Sequence, residues 1–321
     1  MKKGNSAAYL ALALVCLVWG TTYLALRIGV ETFPAFLFSA IRQLTAGTLL
    51  FGILILTRRK LNITKKVFIT QSIAGTLMIG LGNGLVGWAE IYIPSGLASM
   101  ITSILPLFVV IISYSAGVEK KALNRQIIGG LFLGCLGIAL IFRDNLADLT
   151  NPNYLYGILV TFIACFSWSA GTVYAKHNQV SGNAFVNAAI QLSSGSVVIF
   201  ILSFLFDDYS MLSSVSMNSI LALIYLIIVG SLIAYGCFLY ALERLPAGLV
   251  SIYAYINPLI AIVLGALILN EKITWLTALA FVTIIASVYS INKGYAKQKA
   301  SAPLSEEGVK LQKTALNQEE R

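Results

Sequence analysis

Long apolar runs alternate with short polar segments along the chain as far as about residue 292. A helix needs roughly 20 apolar residues to cross the hydrocarbon core of a bilayer. Ten runs approach or exceed that length, at residues 7–28, 35–57, 67–91, 95–116, 126–142, 156–175, 183–206, 220–242, 247–268 and 275–291. They lack the alternation of barrel strands, and backbone groups in lipid must bond within their own segment. The pattern therefore predicts an all-α polytopic membrane protein with ten transmembrane helices.

The second half of the sequence repeats the first. Residues 94–99 (PSGLAS) align with 246–251 (PAGLVS) at an offset of 152, whereas Trp19 aligns with Trp168 at 149 and Gln43 with Gln191 at 148. Each half holds five runs, an odd number, so equivalent helices cross the membrane in opposite directions. The sequence therefore predicts two inverted five-helix repeats, an architecture common among secondary transporters. We expect them at residues 7–144 and 156–292.

The segments outside these repeats are polar. Residues 1–6 form an expected cytoplasmic N-terminus, and residues 145–155 an external linker. The first apolar run follows two lysines but has no clear small-residue cleavage site, so we expect it to be retained. Residues 293–321 change abruptly to Lys, Glu, Gln, Ala and Ser, which predicts a solvated, disordered cytoplasmic tail.

The composition fits a membrane protein, with 58% hydrophobic and 11% charged residues. The net charge of +9 would be compatible with a nucleic-acid partner in a soluble protein, but its distribution favours another explanation. With the N-terminus inside, 18 of the 22 Lys and Arg residues fall in cytoplasmic loops and ends. Because cytoplasmic loops collect basic residues, the charge indicates topology, with both termini cytoplasmic, and no nucleic acid is expected.

The scarcity of reactive side chains argues against enzyme chemistry. The four cysteines all lie within apolar runs without metal-ligand spacing, and His177 is the one histidine. There is no GxxxxGK[ST] segment for ATP. We therefore expect no catalytic residues, metal or cofactor.

Several motifs recur in both halves, and their order resembles the EamA family of the drug/metabolite transporter superfamily. The matching segments are Trp19-Gly20, Arg42, residues 94–98 and Pro106-Leu107, echoed by Pro258-Leu259 and Glu271-Lys272. The second half departs from this pattern because it has Trp168-Ser169 and no arginine equivalent to Arg42. The resemblance implies small-metabolite export across the bacterial cytoplasmic membrane, with a substrate cavity between the repeats.

Arg42 is the most informative single residue, because a guanidinium within a span costs at least about 2.5 kcal/mol and should face a cavity or a partner. Glu90, the one carboxylate within a predicted span, is a candidate partner. An Arg42–Glu90 pair that merely fixes helix packing is one hypothesis. The other is functional: Arg42 attracts a substrate carboxylate, or Glu90 accepts a proton during exchange.

Trp19 and Trp168 are both expected near mid-membrane, where tryptophan is unusual because it favours the interfaces. They predict a pocket with aromatic faces and a few hydrogen-bonding groups, and tight aromatic packing between helices is the alternative. The candidate substrate-binding residues, with Arg42, are Trp19, Tyr23, Trp168, Tyr235, Tyr253, Tyr255 and Asn257.

Pro106 and Pro258 occupy matched interior positions of the fourth and ninth runs. Proline removes a helix hydrogen bond and tends to kink the helix. Such breaks often lie beside transporter binding sites or let a gate bend, so we expect gating kinks here. A static kink is the alternative.

Together these features predict a secondary transporter that exports a small amphipathic metabolite, such as an amino acid, a related compound or a drug-like molecule, by alternating access. A passive channel or facilitator is the alternative, and an intramembrane enzyme is a weaker one. The expected partners are the lipid bilayer and the small-molecule substrate, with the protein a monomer or weak homodimer.

Overall fold

The computed structural model describes residues 3–59, 61–93, 95–118, 124–142, 152–178, 183–269 and 275–300. Within these ranges the chain is helical and contains no strands. In the first half the helices are α1 (Lys3–Val30), α2 (Ala35–Leu56), α3 (Lys65–Gly75), a π-helical segment (Thr76–Asn83), α4 (Gly84–Ala89), α5 (Ser95–Thr102), α6 (Leu105–Ser115) and α7 (Arg125–Phe142).

The second half repeats this order, with a 3₁₀ turn added. Its elements are α8 (Pro152–His177), α9 (Ala184–Phe206), the 3₁₀ turn (Tyr209–Ser214), α10 (Met217–Tyr225), a π-helical segment (Leu226–Ile233), α11 (Ala234–Arg244), α12 (Ala247–Val250), α13 (Tyr253–Leu269) and α14 (Trp275–Ala300).

Helix starts follow local sequence signals. Thr64 accepts a hydrogen bond from Val67 N at 3.2 Å at the start of α3, and Ser216 accepts one from Ser219 N at 3.1 Å at the start of α10. These side chains satisfy backbone donors that the first helical turn leaves without partners. The polar turns between apolar runs therefore fix where the helices begin.

Within the described residues, six continuous helices are long and apolar enough to cross a membrane, at Ser6–Val30, Ala35–Leu56, Lys65–Ala89, Tyr154–His177, Ala184–Phe206 and Met217–Arg244. The apolar helices Leu105–Ser115, Arg125–Gly137 and Ala247–Ile260 are shorter. A multi-pass membrane protein is thus confirmed, whereas the count of ten spans remains a prediction.

The equivalent helices α2 and α9 pack antiparallel. At the start of α2, Phe36 N and Leu37 N donate to the carboxylate of Asp207, at the end of α9, at 3.2 and 2.7 Å. Further along α2, Gly47 faces Ser193 so closely that a Cβ on Gly47 would lie 2.5 Å from Ser193 Oγ. Glycine lets the two backbones approach here, as small residues do between membrane helices.

The equivalent helices α7 and α14 also pack antiparallel. Gly130 of α7 faces Ile291, whereas Gly137, two turns later, faces Thr283 and Ile284. Near the start of α7, Asn124 Nδ2 donates to Gly294 O at 2.9 Å. Two pairs of equivalent helices therefore run in opposite directions.

Both halves share the same irregularities. The π-helical segments occupy matched positions within the continuous helices Lys65–Ala89 and Met217–Arg244, and π-bulges are frequent at functional sites. The fourth and ninth runs are each broken by a turn, at Ser103–Ile104 after α5 and at Ser251–Ile252 after the shorter α12.

The matched prolines differ in placement. Pro106 does not kink a helix interior as expected. It lies in the first turn of α6, directly after the break. Proline is tolerated there because the backbone N–H groups of the first turn have no acceptor within the helix. Pro258 lies inside α13, one turn past its start.

The expected tail begins as helix, because α14 continues to Ala300. Residues 301–321 and residues 145–151 of the expected linker lie outside the described residues.

The close approach of α2 to α9 leads to a stability prediction. We expect Gly47→Leu to destabilise the protein by about 1–3 kcal/mol, because overpacking forces the helices apart. Gly52→Leu, in the same helix, is the matched control, because a Cβ added at Gly52 meets no atom within 4 Å. Thermal unfolding in detergent measures both variants, and an equal effect of the two would contradict the packing argument.

Candidate functional site

A cavity lies between helices of both halves. It encloses about 670 Å³ of space between protein atoms, part of it open to solvent. The helices α1, α2, α8 and α13 and both π-helical segments contribute to its wall. The cavity is therefore built jointly by the two repeats.

Most of the predicted substrate-binding residues line this cavity. They are Trp19, Tyr23, Arg42, Trp168, Tyr235, Tyr253 and Asn257. Tyr255 does not line it: its buried ring faces the position of a Cβ on Gly134 of α7, beside Ser287 of α14. Tyr253 and Tyr255 are two residues apart on one helix, so their side chains point to nearly opposite sides. The expectation for Tyr255 is corrected on this ground.

Arg42 is held by a chain of polar side chains. Its Nε donates to Ser231 Oγ at 2.9 Å, and Ser231 Oγ donates to Gln43 Oε1 at 2.9 Å. Gln43 Nε2 in turn donates to Asn83 Oδ1 at 2.7 Å. Ser231 and Asn83 lie in the two π-helical segments, one from each half. The two segments thus orient a single arginine between them.

The guanidinium of Arg42 remains available to a ligand. Arg42 is only 4% exposed, and no carboxylate lies within 4.0 Å of it in the part of the chain that the structure describes. Its two terminal nitrogens have no hydrogen-bond acceptor among the same residues. A buried cation with unused donors suits a ligand carboxylate, which it can bind through two hydrogen bonds.

The Arg42–Glu90 ion pair, one of the two hypotheses drawn from the sequence, is not formed in the structure. An ion pair does form between Arg244 and Glu243, at 3.1 Å. Glu90 follows α4 outside the cavity wall, where Arg27 Nη1 donates to its main-chain carbonyl. Both carboxyl oxygens of Glu90 are buried and lack a hydrogen-bond partner among the residues that the structure describes. Sequence spacing indicates the depth of a side chain in the membrane but not the direction in which it points, so the pairing could not be predicted.

Trp19 is the centre of an aromatic cluster. Its ring centroid lies 5.6 Å from that of the equivalent Trp168, 5.2 Å from that of Phe238 and 4.7 Å from that of Tyr253. Its Nε1 donates to Gly230 O in the second π-helical segment at 3.0 Å. These rings pack against one another, and those of Trp19, Trp168 and Tyr253 also line the cavity. The two hypotheses for the aromatic residues, a substrate pocket and packing between helices, are therefore compatible.

Asn257 supplies a hydrogen-bond acceptor. Its side chain is 1% exposed, and its Oδ1 has no partner among the described residues. On the same wall, the hydroxyls of Tyr23 and Thr102 are hydrogen-bonded at 2.7 Å. The cavity thus combines a cation, an amide acceptor and aromatic faces.

Sequence reasoning missed the three polar residues that hold Arg42 in this site: Gln43, Asn83 and Ser231. A signal existed, because Gln43 belongs to a segment that recurs at Gln191. Asn83 and Ser231 each follow a glycine, at an offset of 148. The π-helical geometry that turns them towards the cavity has no comparable sequence signature.

The comparisons with known proteins agree with this architecture. The sequence profile described as the EamA-like transporter family matches residues 6–143 and 155–293. The chain belongs to this family. One solved crystal structure has the same fold, with a TM-score of 0.74 at 19% identity over 92% of this chain and 99% of that one.

Relatives from several microorganisms are named as transporters. The "Uncharacterized inner membrane transporter YedA" of Escherichia coli is 30% identical over 88% of this chain and 90% of its own length. The "Uncharacterized transporter YoaV" of Bacillus subtilis is 26% identical, over 89% and 96%. The "Probable amino-acid metabolite efflux pump" of Salmonella typhimurium is 26% identical, over 88% and 93%.

The position of Trp19 leads to a second prediction. Trp19→Phe keeps an aromatic ring but loses the hydrogen bond to Gly230 O, so we expect a loss of about 1 kcal/mol of stability. Trp275→Phe is the control, since Trp275 is 72% exposed, and its effect should stay within about 0.5 kcal/mol. Thermal unfolding in detergent compares them. Equal effects would mean that the indole hydrogen bond contributes nothing.

Proposed function

We propose that this protein is a secondary transporter that exports a small amphipathic metabolite with a carboxylate group, such as an amino acid. The observation that carries the proposal is Arg42, which is buried at the cavity wall, oriented by Ser231 and without a carboxylate partner among the described residues. An unpaired buried cation is unfavourable at membrane depth. A ligand carboxylate supplies the missing partner.

The architecture we propose is ten spans in two inverted five-helix repeats, with both termini cytoplasmic in the bacterial cytoplasmic membrane. The antiparallel packing of α2 on α9 and of α7 on α14 supports the inversion. The excess of Lys and Arg in alternate loops supports the orientation. The name of the E. coli relative supports the location. A cavity between inverted repeats is the arrangement that alternating access requires.

The remaining cavity groups favour an amino acid or a close relative. Asn257 Oδ1 can accept a hydrogen bond from an ammonium group, and the faces of Trp19 and Tyr253 attract a cation or an apolar side chain. The Salmonella relative named as an amino-acid metabolite efflux pump supports both this substrate class and the direction of export.

The third prediction tests Arg42 with the purified protein in liposomes. We expect saturable counterflow of radiolabelled leucine, threonine or phenylalanine. In Arg42→Gln the KM should rise at least about tenfold, because a hydrogen bond to a charged group contributes about 1.5–3 kcal/mol. The corresponding amino-acid amides should compete equally weakly against both proteins, since they lack the carboxylate.

Arg59→Gln is the control, because Arg59 is exposed after the end of α2. An unchanged KM in Arg42→Gln would remove Arg42 from the binding site. Equilibration of all three labels without counterflow would instead favour the channel, and no movement of any label would overturn the amino-acid assignment.

A proton-coupling role for Glu90 is the second part of this proposal. Its carboxyl is fully buried, and its charged form has no hydrogen-bond partner in the described part of the chain, so a bound proton stabilises the observed arrangement. The charged groups that act on it are Arg27 of α1 and Arg42 of α2.

The fourth prediction follows from that carboxyl. In Glu90→Gln we expect accumulation driven by an imposed pH gradient to fall by a much larger factor than counterflow at equal pH. Glu31→Gln is the control, because Glu31 is exposed just after α1. The ratio of the two rates in liposomes is the measurement. An unaltered ratio in Glu90→Gln would exclude Glu90 as the proton carrier.

A further inference from the structure

A cation, a small polar residue and a glutamate recur together in each half. The first-half cluster consists of Arg27, Ser39 and Glu90, and the second-half cluster of Lys176, Asn187 and Glu243. The cations are related by an offset of 149 and the small polar residues by 148. The glutamates lie four and three residues before the matched Pro94 and Pro246. The clusters therefore occupy equivalent places in the repeats.

Side-chain hydrogen bonds join the second-half cluster, although Asn187 Oδ1 has no partner among the described residues. Lys176 Nζ donates to the carbonyls of Leu242 and Glu243 at 2.7 and 3.3 Å, which ties the end of α8 to the end of α11. Asn187 Nδ2, from the start of α9, donates to Glu243 Oε1 at 3.2 Å. Three helices are thus joined at one point.

In the first-half cluster, the Arg27 side chain donates to main-chain carbonyls and not to the Glu90 carboxylate. Arg27 Nη1 donates to the carbonyl of Glu90, as Lys176 does to that of Glu243. Ser39 Oγ lies beside Gly87, one turn before Glu90. Ser39 Oγ and both carboxyl oxygens of Glu90 are buried without partners among the described residues. The bond that Asn187 makes to Glu243 has no counterpart here.

The two clusters lie at opposite ends of the helix pair α2–α9. Ser39 is near the start of α2, which Asp207 bonds from the end of α9. Asn187 is near the start of α9, about 20 residues and roughly 30 Å of helix away from Asp207. Because the helices are antiparallel, one cluster belongs to each end of the molecule.

The cavity extends towards the first-half cluster. On α1 its wall runs from Trp19 to Leu26, the residue before Arg27, and on the third span it runs from Ile79 to Val86, towards Glu90. On α8 the wall ends at Trp168, two turns before Lys176. The engaged cluster is therefore at the end that the cavity does not approach.

We propose that the two clusters are alternating closures of the transport path, which rests on the alternating access proposed above. Equivalent elements of inverted repeats exchange conformations between the two states of a carrier. In the opposite state, Glu90 accepts hydrogen bonds from Ser39 and Arg27, and Glu243 releases Asn187. With the N-terminus cytoplasmic, the structure is closed at the cytoplasmic end by the second-half cluster.

The fifth prediction measures access to the cavity from each side of the membrane. Thr22, on the cavity wall, becomes the reporter as Thr22→Cys in a chain whose four native cysteines are replaced by alanine. A membrane-impermeant methanethiosulfonate reagent is applied to oriented vesicles from outside or inside. The measured quantity is the ratio of outer to inner labelling rates.

We expect Asn187→Ala to lower this ratio at least about tenfold, the change in an equilibrium constant that follows from losing a hydrogen bond to an ionised group. Ser39→Ala should raise it, because it removes a closing contact of the opposite state. Ser113→Ala, at another buried serine that has no partner among the described residues, is the matched control and should leave the ratio unchanged. Asn187→Ser, which introduces the residue of the first half, serves if Asn187→Ala does not fold.

Shifts of the same sign in the Asn187 and Ser39 variants, or no shift in either, would overturn the proposal. The labelling assay needs no substrate, so its outcome is separate from that of counterflow. Normal counterflow with unaltered labelling would overturn the proposed closures but leave the proposed transport function standing. Opposite shifts without counterflow would support the closures and overturn the substrate assignment.

Discussion

The buried arginine of α2, Arg42, imposes the constraint on which the rest of this structure depends. A guanidinium away from water has to find its hydrogen-bond partners within the protein. Arg42 finds one in Ser231, which is fixed by Gln43, which is fixed by Asn83. Each link crosses from one helix to another, and two of the links join the halves of the molecule. Satisfying one charge thus determines how the central helices face each other.

The same constraint explains why the backbone departs from regular helix at the cavity. A carbonyl freed from its usual helical bond can accept from a side chain, and Gly230 O accepts from Trp19 in this way. Glycine at position 230 also leaves room for Arg42, whose Nη2 would lie 3.2 Å from an added Cβ. Irregular backbone at membrane depth is tolerated where protein surrounds it or where it lines a cavity. Both conditions hold here.

The sequence predicted the class of fold and the most important charge, because both depend on burial alone. Apolar runs indicate helices, and a lone arginine inside one of them indicates a cavity or a partner. Directions around the helix axis were not predictable to the same degree. Tyr255 points away from the cavity, and Glu90 does not form an ion pair with Arg42. The π-helical segments were missed because their residues read as ordinary apolar helix, and only tertiary contacts distinguish them.

The matched π-helical segments carry information about the history of the chain. A π-helical stretch accommodates more residues per turn than the helix around it, and such stretches are rare. The two halves nevertheless contain one each, of 8 residues, at equivalent places. The simplest history puts this feature in the ancestral five-helix unit, before that unit was duplicated. The two copies have since diverged in the polar residue that each segment carries. The first has Asn83, and the second has Ser231, which accepts a hydrogen bond from Arg42. On this history, the difference in side chains between the two halves of the cavity arose after the backbone geometry that they share.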